Sequence, residues 1–134
     1  MQRRDFITAG ALAACGASLA GGAWAQSGYP ARPVRMVVPF PPGGPTDVMG
    51  RTAAKAMGER LGQQFVVENK AGAGGNIGTD FVAKAAPDGY TIGLAAISSL
   101  AIAPHLYASL PFNVEKDLLP ISLVGTTPCA LVIH

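Results

Sequence analysis

The chain has 134 residues, 49% of them hydrophobic and 13% charged, which is too apolar and too sparsely charged for a disordered polypeptide and no longer than one ordinary domain. Formal charge is +2, and setting aside residues 1–25, which carry Arg3, Arg4 and Asp5, leaves 8 basic against 7 acidic side chains, so no electrostatic footprint for nucleic acid remains. Two cysteines and two histidines without ligand spacing exclude a structural zinc site and a disulfide framework.

Residues 1–25 read as an export signal: a short basic start, an apolar stretch from Phe6 to about Ala20, and Ala23-Trp24-Ala25 as the small-x-small cleavage site. The stretch is built from Ala, Gly, Thr and Ser, so it would insert weakly as an uncleaved anchor. Arg3-Arg4-Asp5-Phe6-Ile7 fits twin-arginine export, with the general secretory route as the alternative. Leu12-Ala13-Ala14-Cys15 offers a competing lipoprotein cleavage that would leave an acylated Cys15. On either route the mature chain leaves the cytoplasm, and Cys129, among Ala130, Leu131 and Val132, reads as a buried thiol without an intrachain partner.

From Val34 onward, short apolar runs alternate with helical patterns, the signature of βαβ units and a parallel sheet. Val34 to Pro39, with the run Val34-Arg35-Met36-Val37-Val38, predicts a mostly buried first strand. Phe40-Pro41-Pro42-Gly43-Gly44-Pro45 forms a stiffened loop, because proline removes amide donors and glycine invites positive φ. A helix follows with Thr46 as N-cap, Asp47 in its first turn, an apolar face of Met49, Ala53, Ala56, Met57 and Leu61, and a stop at Gly62. Phe65 to Glu68 predicts the second strand, and Asn69-Lys70-Ala71-Gly72-Ala73-Gly74-Gly75-Asn76 the second glycine-rich turn. Ile77, Phe81, Val82 and Ala85 repeat at helical spacing until Pro87. Asp88-Gly89 then turns into a third strand, Tyr90 to Ala96, followed by Ser98-Ser99 and a helical piece at Ala103 to Tyr107. Ile121 to Gly125 and Ala130 to Ile133 both look like strands. The resulting division is a signal peptide over 1–25, a first α/β lobe over 26–125, and a crossover strand over 126–134 into a second lobe that is largely missing.

Loops at the carboxyl ends of parallel strands converge, and ligands bind there. Two of the three loops are glycine-rich and lead into helix N-termini, so free amides and helix dipoles favour an anion without any arginine in the loops. Asp47 is either a first-turn capping charge or a residue that orients the ligand. Ser98 and Ser99 place hydroxyls at the third loop. Arg51 and Lys70 read as solvated side chains that steer an anion. Gly72-Ala73-Gly74-Gly75-Asn76-Ile77-Gly78 approaches a dinucleotide fingerprint, but Ile77 replaces the third glycine and the ribose-binding acid is missing. No Gly-Lys-Ser/Thr follows either loop, which excludes a nucleotide P-loop. Ser98 and Ser99 lack the glycine-flanked elbow of a hydrolase, and a lone His105 carries no catalytic geometry.

These residues resemble a known family. Tyr29-Pro30, Arg32-Pro33 and Val37-Val38-Pro39-Phe40-Pro41-Pro42-Gly43-Gly44-Pro45-Thr46-Asp47 are similar to the opening of the extracytoplasmic solute receptors of tripartite tricarboxylate transporters, the Bug family. Val66 to Gly78 resembles the second hallmark, Ala85-Ala86-Pro87-Asp88-Gly89-Tyr90-Thr91 the third, and Pro104-His105-Leu106-Tyr107, Leu110-Pro111-Phe112 and Lys116-Asp117 continue the likeness. The resemblance implies an α/β, periplasmic binding protein type II-like fold with two lobes, of which this chain supplies the first, with a mostly parallel sheet. It implies a monomeric, non-enzymatic receptor that binds a small carboxylate, passes it to a membrane permease, and uses no cofactor or metal. The ligand-binding residues it implies are Phe40, Gly43, Gly44, Thr46 and Asp47 in the first wall, Gly72, Ala73, Gly74, Gly75, Asn76 and Gly78 in the second, and Ser98 and Ser99 at the third loop. Leu100 and Ala103 stand where many relatives have His and Asn, which implies a less polar distal end. The rival reading is a secreted oxidoreductase or hydrolase using the same loops.

Overall fold

A computed structural model describes residues 28–126. The expected signal segment with Cys15 and Ala25, and the expected strand Ala130 to Ile133 with Cys129, lie outside the described residues.

Three parallel strands form a sheet in the order β2-β1-β3, with β1 at Val34–Val38, β2 at Phe65–Asn69 and β3 at Thr91–Gly93. Both pairings are parallel, Val38 lying opposite Asn69 and Val37 opposite both Glu68 and Gly93. The central strand is an apolar run because both of its faces are covered. Val34, Val37 and Val38 are wholly buried, and each such valine contributes about 1.5–3 kcal/mol relative to exposure.

Helix α1, Pro45–Leu61, starts with proline at N1 and ends on Gly62 at φ 69°, whose amide bonds to the Gly58 carbonyl at 3.0 Å. That left-handed stop is one a residue with a Cβ would resist. The helix begins two residues earlier than the sequence suggests, with Gly44 rather than Thr46 as N-cap. Its buried line is Asp47, Gly50 and Ala54, while Ala56 and Leu61 of the expected apolar face are exposed. The reason is close packing: a Cβ on Gly50 would sit 2.8 Å from Val38 Cγ2 and 2.9 Å from Leu94 Cδ1. Small residues let the helix approach the sheet, and the larger apolar side chains flank that seam.

Helix α2, Asn76–Ala83, lies on the other face. A Cβ on Gly93 would meet Val82 Cγ2 at 2.7 Å, and one on Gly78 would meet Pro39 at 2.7 Å. Residues opposite one another across parallel strands share a face, so Val38 and Asn69 look toward α1, and Val37, Glu68 and Gly93 look toward α2. One helix on each face is the expected doubly wound arrangement, which makes the β1/β3 boundary the switch point of the strand order.

The third strand has three residues rather than the seven of the expected Tyr90 to Ala96. After it come a π-helical turn at Ser98–Ile102, helix α3 at Ala103–Leu106 and helix α4 at Val114–Asp117. The last was not anticipated. Its local cause is Asn113, whose side chain accepts the Glu115 and Lys116 amides at 3.0 Å while Asp117 accepts the Asn113 amide at 2.7 Å. Ile121 to Gly125, expected to be a strand, has no regular secondary structure and joins no sheet among the described residues.

Candidate anion-binding site

Because all three strands run the same way, the β1–α1 loop (Pro39–Gly44), the β2–α2 turn (Lys70–Gly75) and the segment after β3 emerge at one sheet edge. The ladders continue into each of them: Lys70 donates to the Val38 carbonyl at 2.8 Å and Leu94 to the Val37 carbonyl at 2.9 Å. The loops then touch. A Cβ on Gly75 would lie 3.4 Å from Phe40 Cζ, and Ser98 Oγ donates to the Gly74 carbonyl at 2.8 Å. The two glycine-rich turns therefore share one neighbourhood, with the third loop fastened to the second.

Both long helices start there without a side-chain cap, on Gly44 for α1 and Gly75 for α2. The first-turn amides of a helix have no intrahelical acceptor, and in α1 those amides belong to Thr46 and Asp47, since Pro45 has none. Other amides of the loops are already engaged: Gly43 with Asp47 Oδ2 at 2.9 Å, Gly75 with the Gly72 carbonyl at 2.9 Å, and Asn76 with the Ala73 carbonyl. Gly75 holds φ 99° in order to turn the chain into α2.

The residues anticipated from sequence take up different stations along this edge. Gly43, Gly72, Ala73 and Gly74 are exposed, and Phe40, Gly44, Thr46 and Ser98 are half-buried. Asn76 is buried, and its Oδ1 has no hydrogen-bond partner. Gly78 is buried against Pro39 and the Lys70 carbonyl, on the packing side of α2. Ser99 is wholly buried, with its hydroxyl donated to the Ala96 carbonyl at 3.1 Å. Asp47, only 2% exposed, points its carboxylate back into the protein. The Arg51 guanidinium first, then the Gly43 amide and the Asn69 side chain, hold that carboxyl well below the usual carboxylate range.

The nearby cations are committed elsewhere. Arg51 Nε bonds to Asp47 Oδ2 at 2.9 Å. Lys70 Nζ sits 2.7 Å from Glu68 Oε1 and 4.2 Å from the centre of the Phe81 ring, on the α2 face, and lowers the Glu68 pKa. Arg51 is exposed, as expected of a solvated side chain, and Lys70 half-buried, and both are paired with carboxylates of the chain itself. Asn69 is the site-edge residue whose role sequence reasoning missed. The Asp47-to-Arg51 spacing of four was a legible helical ion pair, but Asn69 joins it only through strand register.

Comparison with known proteins identifies the family. Residues 49–134 match the family described as the tripartite tricarboxylate transporter family receptor. The chain belongs to that family. Protein BugT of Bordetella pertussis is 55% identical over 105 residues, covering 78% of this chain and 32% of BugT. Among solved structures, MatC from Rhodopseudomonas palustris with bound malate superposes with a TM-score of 0.68 at 40% identity, over 72% of this chain and 33% of MatC. A second R. palustris protein, with adipate, gives 0.62 at 37% identity, over 65% of this chain and 29% of its own. The family receptor thus has the α/β, periplasmic-binding-protein architecture expected from the motifs, and this chain spans about a third of the length of these relatives.

Proposed function

We propose that the chain provides one half of a periplasmic carboxylate-binding site, the half that grips a carboxylate group through main-chain amides, for delivery to the permease of a tripartite tricarboxylate transporter. Two uncapped helix starts on adjoining loops at one sheet edge carry this reading. Each helix end contributes about 0.3–2 kcal/mol toward an anion, and hydrogen bonds from amides add to that. With Arg51 and Lys70 bonded internally, the grip is dipolar rather than ionic. It depends on close approach to the backbone, which glycine allows. The malate and adipate held by the two R. palustris relatives support a small carboxylate as the ligand class, and residues 1–25 serve as the export signal. Phe40, Gly43, Gly44, Thr46 and Asp47, then Gly72 to Asn76 and Gly78, and Ser98 with Ser99 make up the walls and their supports.

The test is a titration of the isotopically labelled chain with malate, adipate and an uncharged diamide, followed through backbone amide resonances. One half of a cleft leaves the ligand wet, so affinity near 1 mM, about 4 kcal/mol, is expected. Malate and adipate should move residues 43–47 and 72–78 saturably, and the diamide should not. Gly44→Val should remove the response while preserving the fold, because the nearest atom to a Cβ there is the Pro41 carbonyl oxygen at 3.6 Å and φ is an ordinary −78°. Equal responses to the diamide, or shifts confined to exposed lysines and arginines, refute the proposal.

A further inference from the structure

The Asp47 carboxylate is surrounded by its own protein. Asn69 Nδ2 donates to Asp47 Oδ1 at 2.8 Å and to the Phe40 carbonyl at 3.0 Å. Arg51 donates through Nε to Asp47 Oδ2 at 2.9 Å and through Nη2 to Asn69 Oδ1 at 3.2 Å. The Gly43 amide completes the set on Asp47 Oδ2. Side chains from α1 and β2 thus close a ring, and the ring holds the first loop at two points, Phe40 and Gly43, on either side of Pro41-Pro42.

From this ring we infer that Asn69 and Arg51 are positioning residues for carboxylate binding, acting through Asp47 to fix the first loop so that the start of α1 is presented to the ligand. The inference rests on the carboxylate-binding reading above. Between its two prolines and α1, the loop contains Gly43 at φ 83° and Gly44, which are intrinsically mobile unless tied down. A buried carboxylate with donors on both oxygens is a strong tether, and a shared network makes each member depend on the others. Arg51 has a second effect. Asp47 lies in the first turn of the helix whose start receives the anion, and its negative charge would repel that anion were the guanidinium not beside it.

The groups facing Asp47 are few: Arg51 from its own helix, Asn69 from β2 and the Gly43 amide from the loop. Glu68 and Lys70, the charged neighbours of Asn69 in sequence, are paired with each other on the α2 face. This makes Asn69→Asp a reversible probe. Above neutrality it sets two carboxylates against each other, breaks the tether and frees the loop. In acid the two share a proton, as close carboxylates do below about pH 5, and the bond to Asp47 returns.

The experiment follows malate affinity and Gly43 amide exchange of the whole chain between pH 7.5 and about 4.5, each variant compared with wild type at the same pH. Asn69→Asp should bind malate at least about tenfold more weakly at pH 7.5, with faster Gly43 exchange, and should return to within about threefold of wild type at the acid end. Arg51→Met should also weaken binding, and added salt should narrow its deficit by screening Asp47. Arg60→Ala, exposed and nine residues beyond Arg51 in the last turn of α1, serves as the unaffected control. If Asn69→Asp fails to fold, Arg51→Met and its salt dependence decide the matter alone. Wild-type affinity in the variants, or a loss that neither recovers in acid nor accelerates Gly43 exchange, overturns the positioning role while carboxylate binding stands. Failure of the wild-type chain to bind malate saturably overturns the carboxylate reading itself, and this role with it.

Discussion

Replacing Gly78 by alanine tests whether contact between α2 and the end of β1 sets the spacing of the two loops. A Cβ at this position would lie 2.7 Å from Pro39 Cβ, 2.8 Å from Pro39 Cα and 2.9 Å from the Lys70 carbonyl oxygen. Two of these are backbone atoms of the two site loops, so relief requires α2 to move. Overpacking of this kind costs about 1–3 kcal/mol, here toward the upper end, and the better helix propensity of alanine returns about 1 kcal/mol. The net loss is about 1–2 kcal/mol, or roughly 4–16 °C in Tm for an ordered unit of about 100 residues. Gly50→Ala is the matched comparison. Its close contacts, Val38 Cγ2 at 2.8 Å and Leu94 Cδ1 at 2.9 Å, are side-chain methyl groups that can give way, so the loss should be smaller. Thermal and urea unfolding followed by circular dichroism measure both. If Gly78→Ala is neutral, or if Gly50→Ala is the more damaging, the close approach does not control the site. If Gly78→Ala destabilises as expected, the amide of Gly75, which adjoins Phe40, should also shift.

Asp47→Asn should be less stable than wild type near neutrality, with a difference that depends on pH in a definite sense. The Asp47 pKa is lowered by folding, so its contribution is fully present above the unfolded carboxyl's value of about 3.9 and disappears as pH falls through the lower folded value. The two unfolding midpoints should therefore run parallel above about pH 5 and converge in stronger acid, and a gap that widens in acid refutes the assignment. Asn113→Ala should cost about 1 kcal/mol locally, as lost N-caps do. Because α4 is a four-residue exposed turn, the effect should appear as faster amide exchange at Glu115 and Lys116 with little change in global Tm.

What could be read from sequence was whatever a single segment encodes. The buried run Val34 to Val38, the glycine stop at Gly62 and the two glycine-rich turns each carry their cause within a few residues, and each falls where expected. The burial of α1 was not legible in this way. Periodicity ranks side chains by size and hydropathy, so it favours Met49, Ala56 and Leu61, whereas the sheet receives Gly50 and Ala54 because they are small. Asp47 was recognised as a first-turn acid, and the direction of its carboxylate was left open. That direction is set by Asn69, 22 residues away, through the pairing of β2 with β1. Register is a tertiary fact, and no local pattern announces it.

The segment after α4 shows the same limit from the other side. Leu119, Ile121 and Leu123 alternate with Pro120 and Ser122, the period-two pattern of a strand, and they are 90%, 80% and 79% exposed. Covering three such side chains would contribute about 4.5–9 kcal/mol at 1.5–3 kcal/mol each. Fixing the six residues from 119 to 124 costs about 6–12 kcal/mol of backbone entropy at 1–2 kcal/mol each. Apolar burial alone therefore roughly cancels the ordering cost, and ladder hydrogen bonds must tip the balance. A pattern of alternate apolar residues specifies which face a strand would bury, but it does not supply the neighbouring edge. Val34 to Val38 has such an edge on both sides and is a strand. Ile121 to Gly125 has the pattern without a paired neighbour among the described residues, and it stays outside the sheet.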